Sequence, residues 1–149
     1  MGNGDKVLKS ACVRFGILGT QVTELARRRL EPLGLTPKQV GLMAFADSEA
    51  NTSQQEIASN MRVAPSLVVT LVDQLEELGA VTRERRSGDR RVQEISLTED
   101  GRKLLADALA VARELDDDLT THLADGDRRS LERALEAVEK VPALLDPAG

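Results

Sequence analysis

Residues 53–105 read SQQEIASNMRVAPSLVVTLVDQLEELGAVTRERRSGDRRVQEISLTEDGRKLL, and the order of elements in this stretch decides the fold. Ser53 and Glu56 are the two ends of a capping box, which opens a short helix. Pro65 suits the first turn of a second helix, whose apolar residues recur at helical spacing up to Gly79. The stretch therefore begins with two helices joined by a tight turn.

Two alternating strands follow the second helix directly. Residues 81–86 and 91–97 flank a turn from Ser87 to Arg90, which predicts a β-hairpin with an arginine-rich tip. A short helix, a tight turn, a second helix and a two-stranded ribbon make up a winged helix-turn-helix, which presents its second helix to a DNA major groove. We therefore expect a mainly α-helical fold with a small β-hairpin wing.

Long amphipathic helices are predicted on both sides of this lobe. Upstream, apolar residues step by three and four from Leu8 to Leu25, and the helix ends around Pro32 to Gly34. A further capping box at residues 36–39 opens the next helix. Downstream, Thr98 caps a long helix, and a last helix carries apolar residues from Leu131 to Leu145.

These outer helices carry more apolar surface than a small lobe can cover. We therefore expect a homodimer, with a dimerisation helix in residues 1–34, the DNA-binding lobe in 35–98 and further dimerisation helices in 99–149, all in one intertwined domain. An intramolecular bundle in a monomer is the alternative.

Composition excludes several classes of protein. The 149 residues include one Cys, one His and two Phe, without Tyr or Trp, which argues against a Cys/His zinc site and against a base-stacking RNA-binding sheet. No nucleophile, base and orienting group can be assembled for an enzyme, and no phosphate-binding glycine loop or other cofactor motif is seen. The start lacks a secretory signal and no apolar run approaches the roughly 18 residues of a membrane span, so we expect a cytoplasmic protein.

Charge is distributed unevenly along the chain. Residues 98–149 carry 7 basic and 13 acidic groups, whereas the segment from Arg83 to Arg91 has five arginines against Glu84 and Asp89. A small basic patch on an otherwise acidic protein is typical of a protein that contacts DNA through one limited surface.

Several pieces of the sequence match one known family in order and spacing. They are LTPKQVGLMAFAD (residues 35–47), LVDQLEELGAV (71–81), RERRSGDRR (83–91) and ISLTEDG (95–101). With these pieces the chain closely resembles the MarR family of bacterial transcriptional regulators, and Asp89 and Arg91 match the Asp-x-Arg of that family's wing tip. The resemblance implies a homodimer with interlocked terminal helices that binds an inverted DNA repeat, most often as a repressor.

Candidate DNA contacts follow from position in this fold. Ser66, Val69 and Thr70 lie on the face of the second helix that the apolar row leaves free, where hydroxyls can bond bases or phosphates and Val69 can meet a thymine methyl. Many relatives carry a charged or polar N-cap and more Ser, Thr or Arg in this helix. This chain has Ala64, Pro65, Leu67 and Val69 instead, which gives shape readout by the wing more weight. Simple solvent exposure of these side chains is the alternative.

The wing and the first helix of the motif supply the other candidates. Arg90 and Arg91 are placed to reach an adjacent minor groove, with Asp89 as an orienting partner, while Arg86 is placed to reach the DNA backbone. A solvated charged turn is the alternative. Ser53 and Gln54 start the short helix, whose free N–H groups suit a phosphate.

One cysteine and one group of apolar residues are candidates for control by an oxidant or by a ligand. Cys12 lies where the organic-hydroperoxide sensors of the family carry their reactive cysteine, but the tyrosines that activate it there are absent, so packing as a small apolar residue is favoured over redox sensing. Many relatives bind a small aromatic or amphipathic effector, and the corresponding wall would draw on core candidates. They are Phe15, Leu18, Leu42, Met43 and Phe45, with Arg86 beside them.

One interpretation from outside this function stays open. The fold can serve as a protein-interaction module that has lost DNA affinity, which the apolar recognition helix and the acidic last third suggest. His122, alone near the end of the long helix, is expected to be a surface or packing residue rather than a ligand.

Overall fold

The computed structural model describes residues 2–48 and 52–145, which are mainly α-helical with one small antiparallel sheet. Residues 1, 49–51 and 146–149 of the predicted segments lie outside this description. The α-helices are α1 (Asn3–Leu8), α2 (Ala11–Leu30), α3 (Pro37–Ser48), α4 (Gln54–Met61), α5 (Pro65–Glu77), α6 (Glu99–Thr120), α7 (Asp125–Glu139) and α8 (Pro142–Leu145). The strands are β1 (Thr52–Ser53), β2 (Val81–Arg86) and β3 (Asp89–Leu97), and a short 3-10 helix covers Glu31–Leu33.

The amino-terminal apolar stripe forms two helices rather than one. α1 ends at Leu8 and α2 starts at Ala11, so the prediction that Leu8 belongs to the same helix as Leu25 is wrong. The hydroxyl of Ser10 donates a hydrogen bond to the carbonyl of Val7 at 2.7 Å, a local bond with which serine competes against helix propagation. The predicted exit from α2 is confirmed, since Gly34 takes the left-handed conformation with φ of 70°.

Both predicted capping boxes of the lobe are confirmed. At the start of α3, the Thr36 N–H donates to Gln39 Oε1 at 2.9 Å and the Gln39 N–H donates to Thr36 Oγ1 at 3.3 Å. At the start of α4, the Ser53 N–H donates to Glu56 Oε2 at 2.7 Å and the Glu56 N–H donates to Ser53 Oγ at 3.1 Å. Each box satisfies two backbone donors that a helix start leaves free, so these two pairs fix where α3 and α4 begin.

The sheet has three strands in the order β1-β3-β2, one more than the predicted hairpin. Thr52 pairs with Ile95 and Ser53 pairs with Glu94, which attaches the start of α4 to the wing. A two-residue strand carries no alternation that a sequence pattern could show. β3 also begins at Asp89, two residues earlier than predicted.

One apolar core lies under the helix-turn-helix and the inner face of the sheet. Its fully buried large side chains come from α3, α4, α5 and β3, and they are Leu42, Met43, Ile57, Val68, Val72, Leu75 and Ile95. Burying a side chain of this size contributes roughly 1.5–3 kcal/mol, so the core fixes α4 and α5 against each other. The outward face of α5 is thereby held in a defined position.

The end of the wing connects to α6 through closely packed backbone at Thr98 and Gly101. Thr98 Oγ1 accepts from the Gly101 N–H at 2.9 Å, as predicted for a helix cap, and donates to the carbonyl of Gly79 at 2.6 Å. Gly101 is buried, and a Cβ on it would lie 1.9 Å from the carbonyl oxygen of Ala80. This position therefore requires glycine because two backbones meet there.

The described residues divide into two compact units, one up to Val111 and one from Ala112 onwards. The division falls inside α6. The sequence-based segments 1–34, 35–98 and 99–149 stay a prediction. In the second unit, the single last helix predicted through Leu145 is wrong. α7 ends at Glu139 and Pro142 opens α8, because proline has no N–H to continue the helix.

Candidate nucleic-acid interface

α5 has a buried face and an exposed face, as its apolar spacing predicts. Val68, Leu71, Val72 and Leu75 are buried, whereas Ser66, Val69 and Thr70 are exposed, Val69 to 42%. The hydroxyl of Thr70 donates to the carbonyl of Ser66 at 3.2 Å, which leaves its oxygen able to accept a hydrogen bond from outside. The three candidate reading residues thus share one outward face.

The tip of the wing carries two exposed arginines on a fixed turn. Gly88 has φ of 96°, and the side chain of Asp89 accepts a hydrogen bond from the backbone N–H of Arg91 at 3.0 Å. Arg90 and Arg91 are both exposed. The Asp89 contact fits the predicted orienting role, and it acts on the backbone that carries the Arg91 side chain.

Arg86 is engaged within the protein. Its Nε donates to Glu94 Oε1 at 2.5 Å, and its Nη2 lies 3.9 Å from Glu56 Oε2. The hydrogen bond to Glu94 raises the pKa of the Arg86 guanidinium. Glu84 and Glu94 face each other across the hairpin, so the positive charge of Arg86 offsets the repulsion between two carboxylates. A DNA phosphate would have to compete with Glu94 and Glu56 for the Arg86 guanidinium, as the predicted contact requires.

The side chains at the start of α4 are also used internally. Ser53 is buried, and its hydroxyl caps α4 by accepting from the Glu56 N–H. The backbone hydrogen bond from Ser53 lowers the pKa of Glu56. Gln54 Oε1 accepts from Arg83 Nε at 2.9 Å. The Ser53 N–H is used as well, since it donates to Glu56 Oε2. A phosphate contact at this helix start would therefore rest on the backbone N–H of Gln54 rather than on the two side-chain oxygens.

Arg83 is a residue to which the sequence pattern assigned no role. Its Nη1 lies 2.6 Å from Asp73 Oδ1 and 2.9 Å from Glu76 Oε2, and its Nη2 donates to the carbonyl of Val69 at 3.1 Å. With the bond to Gln54, the guanidinium makes three hydrogen bonds, to Gln54, Glu76 and Val69, in addition to the ion pair with Asp73. The alternation along β2 could have indicated these contacts. Arg83 follows the buried Val81 by two residues and so lies on the same, inward face of the strand, where an arginine needs hydrogen-bond partners.

The predicted effector residues do not come together. Leu42 and Met43 are completely buried in the lobe core, and Phe45 packs against that core, whereas Phe15 and Leu18 are half-exposed on α2. The simpler core interpretation therefore holds for Leu42 and Met43. Phe15 and Leu18 instead line a shallow hollow with Ala11 and Arg14.

Cys12 is exposed, so the interpretation that it packs as a buried apolar residue is wrong for the single chain. The physical reason is that the apolar stripe of α2, to which its neighbours Ala11 and Phe15 belong, is largely uncovered here. His122 is exposed, in agreement with a surface role.

Over residues 2–48 and 52–145, no helix is long and apolar enough to cross a membrane. The same residues contain no cluster of three or more His, Cys, Asp or Glu side chains placed to hold a metal ion.

Comparisons with known sequences agree with this geometry. The profile of the MarR family matches residues 35–92. The HTH-type transcriptional repressor MdtR of Bacillus subtilis (strain 168) is 29% identical over 68% of this chain, which spans 65% of the length of MdtR. The HTH-type transcriptional repressor Mb2911 of Mycobacterium bovis is 32% identical over 72% of this chain and 77% of its own length.

The chain is also similar to a repressor, CouR, whose structure is known in two complexes. CouR bound to a 23-mer DNA duplex is 26% identical with a TM-score of 0.85, over 94% of this chain and 99% of CouR. CouR from Rhodococcus jostii RHA1 bound to p-coumaroyl-CoA is 28% identical with a TM-score of 0.77, over 89% of this chain and 94% of CouR.

Proposed function

Because the chain belongs to the MarR family, we propose that it is a homodimeric transcriptional repressor that binds an inverted DNA repeat and acts in the cytoplasm by binding, without catalysis. The observation that carries this proposal is the exposed face of Ser66, Val69 and Thr70 on α5, on a lobe whose wing tip exposes Arg90 and Arg91. The similarity to CouR in its complex with a DNA duplex supports the same docking. α5 would read the major groove and the wing tip the adjacent minor groove.

Salt dependence of DNA binding tests this function. A duplex selected by the protein from a random library should be bound with an affinity that falls steeply as salt rises, because each phosphate contact releases a counterion. Footprinting of that duplex should show an inverted repeat with half-site centres about 10 base pairs apart. Absence of binding to any duplex at low salt would instead favour the protein-interaction module.

Dimerisation is the second part of the proposal. Large apolar side chains are exposed on the outer helices of both units, among them Leu8 at 60%, Ile17 at 49% and Leu135 at 43%. Leu131 and Leu135 line a groove of about 630 Å³ between α6 and α7 in the second unit. Apolar surface of this kind on a folded chain marks an association surface.

We expect a dimer in sedimentation equilibrium at micromolar concentration. Leu135→Glu should shift the protein towards monomer, because it buries a charge in the interface, whereas the neighbouring exposed substitution Glu136→Gln should leave the association constant unchanged. A stable folded wild-type monomer at that concentration would contradict the proposal.

Control by an amphipathic effector is the third part. CouR was solved with p-coumaroyl-CoA, an aromatic acid joined to a large anionic carrier. In this chain, Phe15 and Leu18 offer apolar surface beside the cation of Arg14, a combination that suits an amphipathic acid. An aromatic acyl thioester is accordingly the ligand class to add to the salt titration.

A further inference from the structure

We infer that Arg83 is a positioning residue that fixes α5 against the wing and so sets the sequence specificity of DNA binding, without contacting DNA itself. The inference rests on the proposed function and assigns a role within it. Its basis is the set of contacts that one guanidinium makes with α4 and α5 from a position on β2.

The contacts hold α5 at two points along its axis. Arg83 Nη2 donates to the carbonyl of Val69, on the backbone of an exposed candidate reading residue. Arg83 Nη1 and the Arg83 N–H both reach the carboxylate of Glu76, at 2.9 and 3.2 Å. Seven residues separate the two anchors, about 10 Å of helix, so they restrain both rotation and sliding of α5.

The third element is α4. Gln54, its first residue, accepts from Arg83 Nε at 2.9 Å. The start of α4, the reading helix and the first strand of the wing are therefore joined through a single side chain that is only 21% exposed. A shift of any one of these elements against the others would break at least one of the bonds.

The charge of Arg83 is neutralised inside this cluster. Asp73 and Glu76 both lie within ion-pair distance of Nη1, so one positive charge faces two negative ones. A phosphate approaching the cluster would be repelled, and Arg83 therefore adds no released counterion to DNA binding. Substitution of Arg83 should therefore change the preference for the selected DNA sequence and leave the salt dependence of binding unchanged.

The role needs an arginine. Lysine keeps the charge, but its compact ammonium lacks the planar fork that lets arginine bridge acceptors in fixed directions. Arg83→Lys thus removes the positioning while it retains the charge. Arg85, exposed on the same strand, provides the control, since Arg85→Gln removes a positive charge without altering the Arg83 contacts.

The test measures affinity for two probes across a salt series, after the folding of each variant has been checked by thermal melting. One probe is a duplex selected from a random library by the wild type, and the other is a random-sequence duplex of the same length. Arg83→Lys should lower affinity for the selected duplex by about 10-fold or more, the worth of about one base contact. Its affinity for the random duplex should stay within about twofold, with an unchanged salt slope. Arg85→Gln should lower both affinities by the same factor.

A second variant keeps the test decisive if Arg83→Lys folds poorly. Asp73→Asn removes one partner from a half-exposed position, and it should lower the ratio of selected to random affinity in the same direction. The double variant should lose less than the sum of the two single losses, because both changes act on one cluster.

Two results would overturn the inference. Equal losses on both probes with a smaller salt slope would show that Arg83 contacts phosphate, and an unchanged affinity ratio with a lower melting temperature would show a merely structural role. In either case a wild type that selects a duplex leaves the proposed function intact. A wild type that binds neither probe overturns the proposed function and the inference with it.

Discussion

Gly101→Ala lowers the free energy of unfolding by an expected 3 kcal/mol or so, on the order of the largest effects of overpacking. The reason is that the new methyl group would lie 1.9 Å from the carbonyl oxygen of Ala80 and 2.8 Å from its carbonyl carbon. Both are backbone atoms, and the same peptide accepts the Thr98 N–H at 3.0 Å, so the clash cannot be relieved by turning a side chain. The start of α6 must move away from the end of α5.

The measurement is urea unfolding at a fixed protein concentration, since a dimer's apparent stability depends on concentration. Gly41→Ala, in α3 of the same lobe, is the matched control. Its Cβ would meet only Met61 Cε at 3.7 Å, an ordinary contact, so the better helix propensity of alanine should stabilise the protein by roughly 0.5–1 kcal/mol. Equal stability of Gly101→Ala and the wild type would disprove the close approach of the two backbones.

Local signals were sufficient for most of the fold. The pairs Ser53 with Glu56 and Thr36 with Gln39 act over three residues, so the sequence alone shows both the bond and the helix it opens. The apolar spacing of α5 likewise gives its buried face, and with it the exposed position of Val69. The helix order that follows is enough to indicate a winged helix-turn-helix.

The features that were missed depend on contacts between distant parts of the chain. Gln54 and Arg83 are 29 residues apart, and nothing near either residue reveals that they are bonded. Arg86 looks like a free wing arginine in the sequence, yet the cross-strand register brings Glu94 to it. The exposure of Phe15 and Cys12 was missed for a similar reason, because the spacing of apolar residues along α2 does not show which of them the rest of the chain covers.

Arg91→Ala is expected to weaken binding of the selected duplex by about 1–3 kcal/mol, a loss of roughly 5- to 150-fold in affinity. Arg91 is exposed at the wing tip, on a turn that the Asp89 side chain braces through the Arg91 N–H. An arginine in a narrow minor groove gains from the strong negative potential there, and A/T-rich flanks are narrower than G/C-rich ones. The loss should therefore be larger on an A/T-rich flank.

The decisive comparison uses two duplexes that differ only in the flank read by the wing, each titrated over a salt series. Arg85→Ala serves as the control for plain charge, because an exposed arginine that meets phosphate should lose the same factor on both flanks and lower the salt slope by about one. Asp89→Ala should reproduce the flank dependence of Arg91→Ala with a smaller loss, since the Arg91 side chain remains but its backbone is no longer braced. If Arg91→Ala costs the same on both flanks, the wing tip adds charge without reading shape. Discrimination between sequences must then come from the Ser66, Val69 and Thr70 face of α5, which Arg83 holds in place.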